Sequence, residues 1–149
     1  MTKEVLVTIS GTQVECVDVE ENKSEAIEII SPATYFFKDG LHYIFYEEVY
    51  EGITGVTKNK IVYKENERLE LIKKGVVTSE MVFDMSGQQV SEYRTPFIEL
   101  EIGMDTNKIQ SKQDEHELTI DVEYALAING EVYAMCNIKV KVVEKSKGM

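Results

Sequence analysis

The sequence predicts an all-β protein, an antiparallel meander of about eight to ten strands closed as a barrel. Three observations carry this. Apolar residues recur with a period of two, as in Leu118, Ile120, Val122, Tyr124 and Leu126 against Glu117, Thr119, Asp121 and Glu123. Turn signals recur at short spacing, and no stretch sustains a helical period. The strands are long, and closure removes the edges they would otherwise expose.

In chain order, Val5, Val7 and Ile9 alternate with Glu4, Leu6 and Thr8 and make a first strand. Gly11 is expected to bulge or kink it before Val14–Val19 continues. Glu20–Glu25 is a charged break. Ala26–Ile30 resumes as a strand, and Pro32, which cannot donate to a ladder, marks an edge, a bulge or a strand end. Thr34–Glu48 is an aromatic hairpin about Asp39-Gly40, a dipeptide suited to the positive φ of a tight reversal. Six of the thirteen aromatic residues lie there: Tyr35, Phe36, Phe37, Tyr43, Phe45 and Tyr46. They point both ways, so Phe36, Ile44 or Tyr46 is a candidate for the outer face.

Gly52 and Gly55 bracket the hairpin's exit. Thr57–Lys64 and the segment around Leu69 and Leu71 read as strands about a Glu65-Asn66 turn, and Lys73-Lys74-Gly75 reads as a break. Val76–Asp84 follows, with Met81, Phe83 and Met85 on one face. Ser86-Gly87 turns the chain and Gln88–Tyr93 returns. After Thr95-Pro96, Ile98, Leu100, Ile102 and Met104 face one way. Asp105–Glu115 reads as a polar loop anchored by Ile109. Leu118–Leu126 and Val132–Val142 form a last hairpin about Asn129-Gly130. Their inward residues are all even-numbered, so opposed pairs need an even sum. A three-residue loop meets that condition and sets Ala127 opposite Glu131, Val122 opposite Cys136, Glu117 opposite Lys141 and Thr119 opposite Lys139.

The 149 residues suit a single domain, 1–149, with 144–149 as a fraying tail. A net charge of -11 argues against nucleic acid and against an anionic membrane surface as partners. No apolar run is long enough for a membrane helix, and MTKEVLVTIS lacks the continuous apolar core of a signal peptide. The expected location is cytoplasmic. Cys16 and Cys136 then read as reduced thiols, with a disulfide between them the alternative.

The order of motifs, VxVxI, FFKDGLHYIFYEE, a Lys-x-Gly step, EYRTPF, then a long strand and TNKIQ, resembles the YwiB-like family of small bacterial proteins of unknown function. Tyr43, Tyr46, Glu47, Glu48, Gly75, Tyr93, Thr95, Pro96 and Ile109 stand where its pattern would place them. Lys73 stands where the family often has Arg, and Ile98 where it often has Gly. The resemblance implies a calycin, that is, a lipocalin-like barrel, and supplies no catalytic residue.

No catalytic residue, metal ligand or cofactor is predicted. His42 reads as a packed histidine. His116 lies in Asp114-Glu115-His116-Glu117, whose neighbours would point to opposite faces of a strand and not converge on one ion. Of Glu47 and Glu48 at most one faces any interior. Thr95, before a proline, reads as a backbone partner. No nucleophile has a matched base, so an enzyme is the lesser reading. The preferred one is a non-catalytic barrel holding a small amphipathic ligand in its interior. The predicted lining is Tyr35, Tyr43, Phe45, Phe83 and Tyr93, with Lys73 as the cationic handle. The alternative is an interaction module, most simply a homodimer joined through the aromatic hairpin.

Overall fold

A computed structural model of the protein describes residues 2–15 and 25–145. Ten strands form one closed antiparallel barrel: β1 (Lys3–Glu15), β2 (Glu25–Lys38), β3 (Leu41–Val49), β4 (Val56–Lys64), β5 (Arg68–Lys74), β6 (Thr78–Asp84), β7 (Gln89–Arg94), β8 (Glu99–Gln113), β9 (Glu117–Ile128) and β10 (Glu131–Glu144). Every strand lies beside its neighbours in sequence, and β1 against β10 closes the ring. None of the described residues forms a helix long and apolar enough to cross a membrane. The strand expected to continue over residues 16–19 and the charged break expected at 20–24 lie outside the described residues.

Alternation fills the interior. Val7, Ile44, Tyr63, Leu69, Phe83, Met104, Ile120, Val122 and Val140 are fully enclosed. Each such side chain contributes roughly 1.5–3 kcal/mol by leaving water. An exposed ion pair such as Lys64–Glu67 contributes less than about 1 kcal/mol, so the apolar interior holds the barrel.

Several elements differ from expectation. Gly11 pairs regularly on both sides, with Ile138 and Ile27, and neither bulges nor kinks β1. Pro32 does not interrupt β2, which runs through it opposite Leu6. It does sit on a locally open edge: the β2–β3 ladder spans only Thr34↔Phe45 to Lys38↔Leu41. Lys73 and Lys74 belong to β5, so the turn is made by Gly75, Val76 and Val77 before β6 begins at Thr78. Met85 and Ile98 lie beyond strand ends and are exposed, not inward. Beyond Thr78↔Arg94 and Ser79↔Tyr93 the ladder between β6 and β7 is open.

Residues 105–113 are not a loop but the second half of β8. A bulge between Thr106 and Lys108 moves the inward positions from Met104 and Thr106 to Ile109, which is buried as expected. That shift breaks the alternation and explains why the segment reads as irregular.

In the last hairpin Asn129 and Gly130, with φ of 50° and 88°, make a two-residue turn pairing Ile128 with Glu131. A bulge at Tyr133 then restores the even sum, and Tyr124 opposes Cys136 while Val122 opposes Ile138. The expected pairings of Ala127 with Glu131 and Val122 with Cys136 are therefore wrong. So are the direct pairings of Glu117 with Lys141 and Thr119 with Lys139, since Thr119 opposes Lys141 and Asp121 opposes Lys139. Parity is satisfied by a bulge instead of a longer loop. Val132, before the bulge, points outward and is exposed. Glu117 still reaches Lys141 diagonally, at 3.5 Å.

Candidate functional site

The polar residues of the interior gather toward one end of the barrel. Inward positions on β3 are His42, Ile44, Tyr46 and Glu48, since Ile44 and Tyr46 are in the core and side chains alternate. On β4 the inward row is Thr57, Asn59, Ile61 and Tyr63; on β5 it is Leu69, Leu71 and Lys73. Ser79 and Tyr93 continue the row on β6 and β7, where they pair with each other. Among the described residues the buried polar side chains are His42, Thr57, Asn59, Ser79 and Thr106, and three of these, Thr57, Asn59 and Ser79, lie at the same end as Lys73.

Lys73 sits at its centre. Its Nζ donates to Glu48 Oε1 at 2.5 Å and to Asn59 Oδ1 at 2.8 Å. Both partners of the ion pair are largely enclosed, Glu48 keeping 12% of its side-chain exposure and Lys73 25%. The Tyr50 hydroxyl donates to the same Glu48 Oε1 at 3.2 Å. Burial first, then the Glu48 carboxylate, pushes the Tyr50 phenol up to about 12. Burial, with Glu48 and Tyr50 beside it, raises the Tyr46 phenol as well. Asn59 Nδ2 donates to the Thr57 carbonyl at 3.3 Å, and the Val77 amide donates to Thr57 Oγ1 at 3.3 Å. Gly75 lets these elements approach: its φ is 150°, and a Cβ there would collide with the Val56 carbonyl and stand 2.7 Å from Thr57 Cα.

A lateral opening leads to this row. Where β2 and β3 part beyond Thr34↔Phe45, a groove of about 600 Å³ runs between Ser31, Pro32 and Ala33 on one bank and Phe45, Tyr46 and Glu47 on the other. Behind it lies an interior cavity of about 100 Å³. Its apolar walls are Ile9, Ile29, Ile61 and Leu71, and it reaches Lys73. Tyr46 and Asn59 line both spaces, so the groove and the cavity meet at those two side chains.

A second cavity, of about 380 Å³, opens at the opposite end, between Val5, Tyr35, Phe37, Leu118 and Val142 and a rim from Gln113 to Glu117. Its rim groups are solvated, Glu115 keeping 92% of its side-chain exposure and His116 75%. Such groups give a ligand little, because water competes for them. Beside this mouth the Tyr35 hydroxyl lies 2.6 Å from His42 Nδ1. His42 is buried, and desolvation lowers its pKa.

Of the predicted lining, Lys73, Phe83, Tyr93 and Tyr35 face inward, but they are spread out. Phe83 packs on Tyr124 with ring centroids 4.6 Å apart, and Tyr35 stands at the far mouth. Tyr43 and Phe45 are corrections. They occupy odd positions on β3 and stack on Phe36 at 4.8 Å and 5.8 Å on the outer surface, where Phe45 banks the groove. The register Tyr35↔Ile44 and Phe36↔Tyr43 decides this and also puts Ile44 and Tyr46 inside. Glu48 faces in and Glu47 out, as strand geometry requires of neighbours. Thr95 Oγ1 accepts from the Phe97 and Ile98 amides at 3.1 Å, the backbone role expected of it. The sequence reading missed Tyr50, Asn59, Thr57 and Ser79. Carrying the alternation of Tyr63 and Ile61 back by two steps would have found Asn59 and Thr57, polar residues at core positions.

Comparison with known proteins adds the following. Residues 8–140 match the family described as "Domain of unknown function (DUF1934)". The "Uncharacterized beta-barrel protein YwiB" of Bacillus subtilis (strain 168) is 26% identical over 140 residues, covering 94% of each chain. The solved structure titled "Crystal structure of ywiB protein from Bacillus subtilis" superposes with a TM-score of 0.78 at 20% identity, covering 97% of this chain and 94% of that one. The superposition supports the ten-stranded barrel, and none of these descriptions points to a catalytic activity.

Proposed function

This chain belongs to the DUF1934 family, and we propose that it is a non-catalytic barrel that binds a small amphipathic ligand through the seam between β2 and β3. The observation that carries this reading is the junction at Tyr46 and Asn59. There an open groove of about 600 Å³ meets an interior cavity of about 100 Å³ beside the enclosed Lys73–Glu48 pair. Together the two spaces fall in the size range of small-molecule sites, roughly 300–1,000 Å³, and combine apolar walls with a few convergent polar groups. A ligand's apolar part would lie against Ile9, Ile29, Ile61 and Leu71. Its polar part would lie at Lys73, Asn59 and Tyr46.

Native mass spectrometry of gently purified protein tests this. The expected result is a small molecule carried by the native chain and lost from Ser31→Trp, whose indole would close the groove. A native chain that carries nothing, and whose melting temperature responds to no member of an amphipathic panel, would overturn the reading.

A second reading has one observation in its favour. Phe36, Tyr43 and Phe45 form a stacked row on the outer surface, with Lys60 Nζ 5.9 Å from the Tyr43 ring centre. Such a row suits a contact with a second copy of the chain. Sedimentation should then show a dimer that Phe36→Ser weakens, and a monomer at high concentration would remove this reading.

A further inference from the structure

Resting on the ligand site just proposed, we infer that its ligand is an extended peptide whose backbone adds a strand to the open edge of β2. The register shows where that edge lies. Asp39 and Gly40, with φ of 53° and 81°, make a two-residue turn closed by Lys38↔Leu41. Such a turn starts the ladder on a hydrogen-bonded pair, and bonded pairs then recur at every second residue. The even residues Lys38, Phe36 and Thr34 therefore turn their N–H and C=O toward β3, and the odd residues of β2 turn theirs toward β1. The next bonded pair would join Pro32 to Glu47. Proline has no N–H to give, and its carbonyl accepts instead from Ser31 Oγ at 2.9 Å. The ladder stops short of this pair. Ile30 and Glu28 still turn an N–H and a C=O to the same side, and the β2–β3 ladder does not reach them.

A row of donors and acceptors repeating every second residue is a template for another strand. A hydrocarbon chain or a single headgroup does not meet that repeat, and a peptide backbone does. The walls of the seam suit a strand as well. Alternate side chains of an added strand point inward and outward. An inward one meets the interior cavity between Ile9, Ile29 and Ile61. Its volume of about 100 Å³ is below the roughly 150 Å³ that holds a benzene, so it takes an aliphatic side chain and not a ring. An outward one lies between Ile30 and Val49, which an unbroken ladder would have paired and which stand 57% and 74% exposed. Charge selects further. In the groove Glu4 and Glu47 stand against Lys58 and Lys145, while Glu28 lies on the open edge and the chain as a whole carries -11. A basic peptide is therefore favoured over an acidic one.

The probe is a blocked hexapeptide of alternating lysine and valine, with its fully N-methylated counterpart as control. In the free chain the Glu28 and Ile30 amides should exchange with solvent faster than those of Ile29 and Ser31, which face β1. Binding of the hexapeptide should slow exchange at Glu28 and Ile30 by roughly tenfold or more. The N-methylated peptide keeps the side chains and lacks the N–H donors, so it should not bind. Ile30→Pro removes the edge donor and spares the β1 ladder, whose bonds use odd residues of β2. It should keep the fold and weaken the hexapeptide roughly tenfold or more. Equal exchange of the four amides in the free chain overturns the inference. So does binding that leaves Glu28 and Ile30 unprotected, or equal binding of the N-methylated peptide or by a folded Ile30→Pro chain. If the hexapeptide does not bind, the molecule carried by the native chain decides. A peptide supports the inference, and any other molecule overturns it and leaves the ligand site standing. A chain that carries nothing and responds to no amphipathic ligand removes both. If Ile30→Pro does not fold, exchange and the N-methylated control still decide the question on the native chain.

Discussion

Glu48 and Lys73, twenty-five residues apart on strands separated by β4, meet through the row of inward positions at one end of the barrel, with Asn59 of the intervening strand bonded to the same ammonium. Removing one member leaves the other charged in a site mostly shut from water. A fully enclosed pair broken in this way loses about 3–5 kcal/mol. This pair keeps some exposure, so Lys73→Met should cost about 2 kcal/mol in urea unfolding. The double variant Glu48→Leu/Lys73→Met should cost clearly less than the two single changes added together. Additive costs would show that the two side chains do not act as a pair.

Gly75 controls the same end of the barrel from outside the pair. Its backbone has a φ that L side chains rarely adopt, and its missing Cβ is what lets it lie against Val56 and Thr57. Gly75→Ala should destabilise by about 1–3 kcal/mol. Because Thr57 accepts the Val77 amide and its carbonyl accepts from Asn59, the change should also shift the Asn59 side-chain amide resonances. An unchanged melting temperature would show that the strand ends yield without cost.

How far the sequence could be read depended on where alternation survives. Leu118–Leu126 keeps its period, and its inward face was read correctly. At Thr106–Lys108 a bulge changes the inward parity, and a strand read as a loop. The aromatic hairpin shows a different limit. Tyr43, Phe45, Ile44 and Tyr46 are all large and apolar, so composition does not separate the faces. Only pairing with β2 and β4 does. The candidate site was legible in single residues, Lys73 and Glu48, and not as a constellation. Its assembly depends on which strand ends coincide, and its entrance depends on a ladder that stops at Thr34↔Phe45.

The tyrosines should titrate in separate groups. Tyr50 is pushed up to about 12, by burial and then by Glu48, while Tyr46 and Tyr124 are raised further, chiefly by burial. A phenol raised in the folded state stabilises the fold fully below its unfolded value near 10. That contribution is lost as pH rises through the folded value. Stability should therefore fall between about pH 10 and 12. Tyr50→Phe should flatten part of that fall, and tyrosinate absorbance should show Tyr46 and Tyr124 ionising only on unfolding. A single step near pH 10 in the folded chain would contradict this.

The bulge at Tyr133 allows a sharper test of why the last hairpin has its register. Val132 opposes Ala127 and Ala134 opposes Leu126, so the register shifts by one residue at Tyr133. Removing it should leave a regular two-residue hairpin in which Ala134, Cys136, Ile138, Val140 and Val142 still face inward. The partial packing of Tyr133 on the core contributes about 1–2 kcal/mol to the cost. Removing Asn137 is the contrasting case, although it is also one residue and is less buried than its neighbour Cys136. The ladder could absorb that loss only by straightening the bulge. Tyr133 and Met135 would then be driven into the places of Ala134 and Cys136. Ala134 is fully enclosed, and nothing there has room for a phenol ring. Deletion of Tyr133 should thus give a cooperative thermal transition and an unchanged amide spectrum beyond Ala134. Deletion of Asn137 should lower the melting temperature far more or abolish the transition. Equal tolerance of the two deletions would show that inward facing does not set this register.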